Sequence, residues 1–384
     1  MHIARIVFVG LVSLAIAMGI GRFAITPLLP MMEAEGLVSI AGGGALAAVH
    51  FLGYLIGAIA ATRLPVSPKT ALRGSVIAIG VCTFGMGATE SFPLWLTFRW
   101  FAGAGSAVIL VLVSNFYLRH LARIGRPEKQ GWVFGGVGAG IAVAGLGAVG
   151  FMVWQVSSPT GWQAFGTVTL VSAVAVCLLI GSEIPDVRSD RRDRGLRRSP
   201  LNWGLMVAYA AAGMGYIIPA TYLPIMARAI VTDPLVFGWA WPVFGAAAFL
   251  STLLAARLQP RFSNRQVWVG SQAIMATGLI LPVVYPSIVT IQVAGFCVGG
   301  TFMIITMVGL KEAHRIAPVD DVMRHIGGMT VAFAIGQMAG PIFAGTLHDM
   351  TGGFGLSLIV PSVVLILTMI PLMSGSAKKE VAPS

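Results

Sequence analysis

Long apolar runs, each ended by a few polar residues or by Gly and Pro, recur from one end of the chain to the other. A helix needs about 20 mostly apolar residues to cross the hydrocarbon of a bilayer, and twelve runs are near or above that length. They cover Ile6–Met32, Gly43–Thr62, Thr70–Ala88, Leu94–Leu118, Gly131–Trp154 and Ala164–Gly181 in the first half. In the second half they cover Leu201–Ala227, Val236–Ala256, Val267–Val284, Ser287–Leu310, Ile326–His348 and Phe354–Ser374. The pattern predicts an all-α integral membrane protein with 12 transmembrane helices. One polar stretch, Ser182–Pro200, is long enough to act as a linker. It divides the chain into a six-helix bundle at 1–181, an Arg-rich cytoplasmic linker at 182–200 and a second six-helix bundle at 201–384.

Composition agrees with the pattern. Of 384 residues 57% are hydrophobic and 10% charged, against roughly 25% charged in a soluble domain. The 48 glycines suit helices that pack backbone to backbone. The formal charge of +11 does not point to nucleic acid, because the basic residues sit in short loops and form no stripe or tail. It reports topology instead. Of the 25 Lys and Arg residues, Arg22 and Arg99 lie within spans and Arg228 falls on one side; the rest fall on the other. By the positive-inside rule both termini are cytoplasmic and the protein belongs in a cytoplasmic (bacterial inner) membrane. Cys82, Cys177 and Cys297 lie in apolar runs and imply no disulfide framework. The first run is longer than a cleavable leader and contains Arg22.

The two halves repeat at an offset of 194 residues. Gly19, Gly21, Leu29, Pro30 and Met32 correspond to Gly213, Gly215, Leu223, Pro224 and Met226, and Ala61, Arg63 and Leu64 to Ala255, Arg257 and Leu258. An offset of six helices preserves direction, so the repeats are parallel and related by an axis along the membrane normal. Transporters place a central site between two such bundles.

Several motifs resemble the major facilitator superfamily, over essentially the whole chain. The fourth span carries Arg99-Trp-Phe-Ala-Gly103-Ala-Gly105, similar to the superfamily's R-x-x-x-G-x-G signature. The eleventh carries Gly336-Gln337-Met-Ala-Gly340-Pro341. Gly19-Ile-Gly21-Arg22-Phe23-Ala-Ile-Thr26-Pro27-Leu-Leu-Pro30 resembles the first helix of the YbfB/YjiJ-like branch, and Phe51-Leu-Gly53-Tyr54 fits the same branch. The resemblance implies a cavity lined by helices one, four, seven and ten. It also implies helix-packing or gating roles for Gly19, Gly21, Pro27, Pro30, Gly103, Gly105, Gly336, Gly340 and Pro341. Two departures stand out: the loop after span two has no acid beside Arg63, and span five lacks the Gly-Pro of drug/proton antiporters.

Candidate chemistry lies where burial is costly. A charge at mid-membrane costs at least ~2.5–3.5 kcal/mol on insertion scales and therefore lines a cavity or finds a partner. Arg22, Thr26 one turn away, His50 and Arg99 fall in one layer, with no carboxylate securely inside any span. Tyr216, the repeat counterpart of Arg22, and Gln337 are polar candidates from the second half. Two guanidinium groups without an acid must be compensated by carbonyls, cavity water or an anionic ligand. His50, deep in its span and titrating near neutral pH, is the candidate proton carrier, with ordinary packing as the alternative. Trp162, Trp239 and Trp241 read as interfacial aromatics.

Gly145-Leu-Gly147-Ala-Val-Gly150 lacks a βαβ setting and reads as helix packing. No phosphate-binding loop, metal spacing or nucleophile–base set is visible, so neither a cofactor nor catalysis is expected. The expected function is secondary active transport of a small anionic organic solute by alternating access, proton-coupled and monomeric, with lipid and solute as partners. The alternatives are efflux of amphipathic compounds or drugs, or a membrane sensor or enzyme on the same bundle. The expected site residues are Arg22, Thr26, His50, Arg99, Tyr216 and Gln337.

Overall fold

The computed structural model describes residues 2–61, 66–181, 200–258, 261–317 and 322–374. Residues 182–199 of the Arg-rich linker, and Arg63, lie outside this set. Among the described residues, eleven helices are long and apolar enough to cross a membrane. They are α1 (Ile3–Ala34), α2 (Ile40–Ala61), α4 (Phe92–Arg123), α5 (Gln130–Val153), α6 (Ser158–Leu179), α7 (Trp203–Arg228), α8 (Pro234–Ala255), α9 (Asn264–Val284), α10 (Ile288–Ile316), α11 (Arg324–Thr351) and α12 (Gly355–Met373). A further helix, α3 (Pro68–Met86), packs between α4 and α6. Lys69 and Arg73 in its first two turns dilute its apolar character.

Helix starts follow local chemistry. The Ser67 side chain accepts from the Thr70 N–H with Pro68 at the first helical position, and the Asn202 side chain accepts from the Leu205 N–H. Ser263 with Gln266 and Ser287 with Thr290 form reciprocal caps on α9 and α10. Helix α6 begins six residues before the expected Ala164. Pro159 reads as a loop breaker in sequence, but here it occupies the first turn of the helix, where its missing N–H costs nothing. Trp162 therefore lies inside α6, 1% exposed, with its indole N–H donating to Met32 Sδ at 3.3 Å. Trp241 is fully buried against Phe23 and Phe244. Only Trp239 of the three expected interfacial tryptophans is exposed.

Large apolar side chains face outward along the helices, among them Val171, Leu178, Val284 and Ile370. A water-soluble surface does not carry such a belt.

The packing partners repeat across the halves. In the first, α2 packs on α4, α3 on α4 and α6, and α1 on α5. In the second, α8 packs on α10, α9 on α10 and α12, and α7 on α11. Contacts between the halves run through α1–α7, α2–α11 and α5–α8. The last two pairs exchange under the same six-helix shift, as a two-fold relation requires. Close backbone approach fixes several crossings. A Cβ on Gly103 of α4 would lie inside the His50 carbonyl of α2, and one on Gly336 of α11 inside the Ala210 carbonyl of α7. Gly19 meets the backbone of Gly140 on α5, whereas Gly21 and Gly340 meet the side chains of Ile79 and Ile217. Gly105 has more room.

Candidate functional site

The site is built on an interruption in α1. Residues Ala15–Ile20 form a π-helical turn, a feature frequent at functional sites, and the α-helix breaks again at Ala24 before Pro27 and Pro30. Helix α4 satisfies the disturbed backbone. Ser106 Oγ donates to the Ala17 carbonyl at 2.8 Å, while Arg99 Nη1 and Nη2 donate to the Gly21 and Arg22 carbonyls, each at 2.8 Å. Arg99 Nε also reaches the Leu46 carbonyl of α2 at 3.4 Å. Arg99 is 2% exposed, and all three of its nitrogens have carbonyl partners. These bonds tie α1 and α2 to α4.

Arg22 is held differently. Its Nη2 donates to the Tyr216 hydroxyl, its Nη1 faces the soft acceptor Met18 Sδ at 3.8 Å, and its Nε has no partner. Three rings surround the guanidinium: Phe51 at 4.7 Å, Phe23 at 5.1 Å and Tyr54 at 5.3 Å from their centroids. Such cation–π contacts are worth about 0.5–2 kcal/mol each and do not neutralise the charge. Among the described residues, Glu33, Glu35, Glu90, Glu128, Asp233, Glu312 and Asp349 are the acids, and none lies in this layer.

Tyr216 accepts from both Arg22 and Gln337 Nε2, which joins α1, α7 and α11. An oxygen that accepts twice keeps its own proton for a third partner, and no described acceptor takes that proton. The Tyr216 ring is stacked between Phe302 at 5.0 Å and Phe333 at 5.6 Å.

The geometry also locates the molecular axis. Arg22 and Tyr216 are repeat counterparts and touch; Thr26 and Ala220 are counterparts as well, with Thr26 Oγ1 donating to the Ala220 carbonyl at 2.5 Å. Symmetry-related positions can meet only near the axis that relates them. The second bond has a sequence cause: Pro224 has no N–H, so the Ala220 carbonyl lacks its helical donor and Thr26 supplies one. Above this layer α1 and α7 are tied again, by Arg228 to Glu33 Oε2 and to the Pro30 carbonyl, both at 2.7 Å. Tyr222 links α7 to the Pro341 carbonyl of α11 at 2.8 Å.

The structure thus brings Arg22, Tyr216, Gln337 and Thr26 together on the axis. It places Arg99 behind them and His50 beside them. His50 is fully buried, stands edge-on to Phe51, and neither ring nitrogen has a hydrogen-bond partner. Sequence reasoning missed the aromatic surroundings, because Phe302 and Phe333 are indistinguishable in sequence from lipid-facing phenylalanines. It missed Ser106 as well, whose signal was its position seven residues after Arg99, on the same helix face. A cavity of about 300 Å³ lies elsewhere, lined by Ile225, Pro282, Ile291, His348 and Phe354 among others.

Two parallel repeats packed about an axis, with polar groups from both halves meeting on it, define a transporter of the major facilitator type. Three solved structures share the fold. The chain superimposes on a D-xylose-proton symporter with a TM-score of 0.75 at 12% identity, covering 97% of each chain. A point mutant of the nucleoside transporter NupG gives a TM-score of 0.72 at 13% identity, covering 96% of this chain and 99% of that one. A bacterial homologue of the human lysosomal transporter Spinster, solved inward-facing and unoccupied, gives 0.70 at 14%, covering 100% and 98%. Residues 14–372 match the family described as "Uncharacterised MFS-type transporter YbfB", and the chain belongs to that family. Among curated relatives, the uncharacterized MFS-type transporter YceJ of Bacillus subtilis (strain 168) is 22% identical over 375 residues, 93% of each protein. The chloramphenicol resistance protein of Streptomyces lividans is 24% identical over 369 residues, 88% of each. The protein is a multi-pass membrane transporter and not an enzyme.

Proposed function

We propose that this transporter moves a small anionic organic solute across the cytoplasmic membrane by rocking two six-helix bundles, 1–181 and 201–384, about the Arg22 layer. In this reading the chain spans twelve times with both termini cytoplasmic, the 182–200 linker lies in the cytoplasm, and the protein works as a monomer. One observation carries the reading: a guanidinium on the axis, with an unpartnered Nε and no acid in its layer among the described residues. Arg22 Nε and the Tyr216 hydroxyl proton are two donors without acceptors, and a carboxylate offers two acceptor oxygens. A ligand that binds groups from both halves ties its own release to their separation, which is the requirement of alternating access. Protons are the coupling ion, with His50 as their carrier.

A second reading is efflux of neutral amphipathic compounds, which the rings around Arg22 and the relative named for chloramphenicol resistance favour. Flux into proteoliposomes under an imposed pH gradient separates the two. Carboxylate flux is expected to exceed that of cations and neutral amphiphiles and to fall about tenfold or more in Arg22→Gln, the equivalent of ~1.4 kcal/mol. It is also expected to lose its response to the pH gradient in His50→Gln. A preference for cations that Arg22→Ala leaves unchanged would overturn the proposal.

A further inference from the structure

We infer that the solute is a small aromatic monocarboxylate; this rests on the anion reading above and narrows it. The two open donors sit within a nearly continuous set of rings drawn from both halves. Phe51 and Tyr54 of α2 and Phe23 of α1 pack around the guanidinium. On the other side, Phe302 and Phe333 sandwich Tyr216 with interplanar angles of 11° and 10°. Phe244 continues the stack from Phe302 at 5.5 Å, and Trp241 links it to Phe23.

This lining favours a ring over a saturated group of the same size. Rings that already stack on one another across both halves give a flat aromatic solute partners for quadrupole contacts that a saturated solute lacks. The polar donors are few and clustered at one point, which suits a solute with one charged end. A dicarboxylate would bring a second charge against rings, while the second cation, Arg99, is already held by backbone carbonyls of α1 and α2. Arg22 itself prefers a ligand that keeps its ring contacts: an aromatic acid presents its carboxylate to Nε while its ring joins the stack.

Counterflow in proteoliposomes preloaded with benzoate tests this. Competitors are benzoate, cyclohexanecarboxylate as its saturated match in size and charge, phthalate, and benzyl alcohol as a neutral ring. Benzoate is expected to compete about three- to tenfold better than cyclohexanecarboxylate, as a ring–ring contact of the usual strength dictates. It is also expected to compete better than phthalate, and Phe51→Leu should narrow the first gap without abolishing exchange. Equal competition by benzoate and cyclohexanecarboxylate would overturn the aromatic assignment and leave the anion reading standing. Equal competition by benzyl alcohol, or no counterflow with any carboxylate, would overturn both.

Discussion

Arg22 and Arg99 are the same residue type, equally buried and at the same depth, yet their surroundings have opposite consequences. Arg99 donates from each of its three nitrogens to a backbone carbonyl on one of two neighbouring helices. Arg22 touches one hydroxyl, one sulfur and three rings, and keeps an open donor. Charge inside a membrane is therefore not by itself a sign of ligand binding. The two guanidinium groups differ in what already surrounds them: a backbone carbonyl at every nitrogen of Arg99, and none at those of Arg22.

That contrast can be broken by substitution. The largest effect is expected at a third buried charge, which serves as the reference for pure structure. Glu312 of α10 pairs with Arg265 at 2.5 Å and with Arg315 at 2.7 Å, and is 1% exposed. Glu312→Gln leaves Arg265 buried without its anion and should cost about 3–5 kcal/mol, read as lost melting temperature in detergent. Next, Arg99→Gln strands the Gly21 and Arg22 carbonyls at about 1–3 kcal/mol each and should lower thermal stability with or without solute. Arg22→Gln should do the reverse, keeping the melting temperature within a few degrees and losing transport. If Arg22→Gln destabilised the protein as much as Arg99→Gln does, the distinction would fail.

Smaller effects sharpen the picture. Tyr216→Phe removes one open donor and should weaken solute binding by about three- to tenfold, the worth of one hydrogen bond of about 1 kcal/mol. Glu33→Gln breaks the pair with Arg228, whose side chains are 40% and 34% exposed. Its stability effect should be within about 1 kcal/mol. Its signature would be kinetic, because the pair joins α1 to α7 in the state seen here and not in one where those ends separate.

Much of this was legible in the sequence. Eleven of the twelve expected spans are, among the described residues, helices long and apolar enough to cross a membrane, α3 being the exception, and the repeat pairs Arg22 with Tyr216 before any contact between them is seen. Pro224 even explains why Thr26 finds a free carbonyl. Other features depend on neighbours that no local pattern announces. The π-turn at Ala15–Ile20 has no residue signature, and its stabilisers Ser106 and Arg99 lie on another helix. Trp162 and Trp241 were expected at the interface because tryptophan usually prefers it. Each is buried instead by a partner distant in sequence: Met32 for one, Phe23 for the other. The aromatic surroundings of Arg22 were invisible for the same reason, since helical phenylalanines face lipid or core alike.

The central claim, that Arg22 is an uncompensated cation awaiting an anion, is tested most directly by ligand-induced stabilisation of purified protein. Melting temperatures would be measured against rising sodium benzoate, with sodium chloride at matched ionic strength as the control. Saturable stabilisation of the wild type by benzoate, absent in Arg22→Gln, is the predicted result. The same saturable curve in Arg22→Gln would contradict the account.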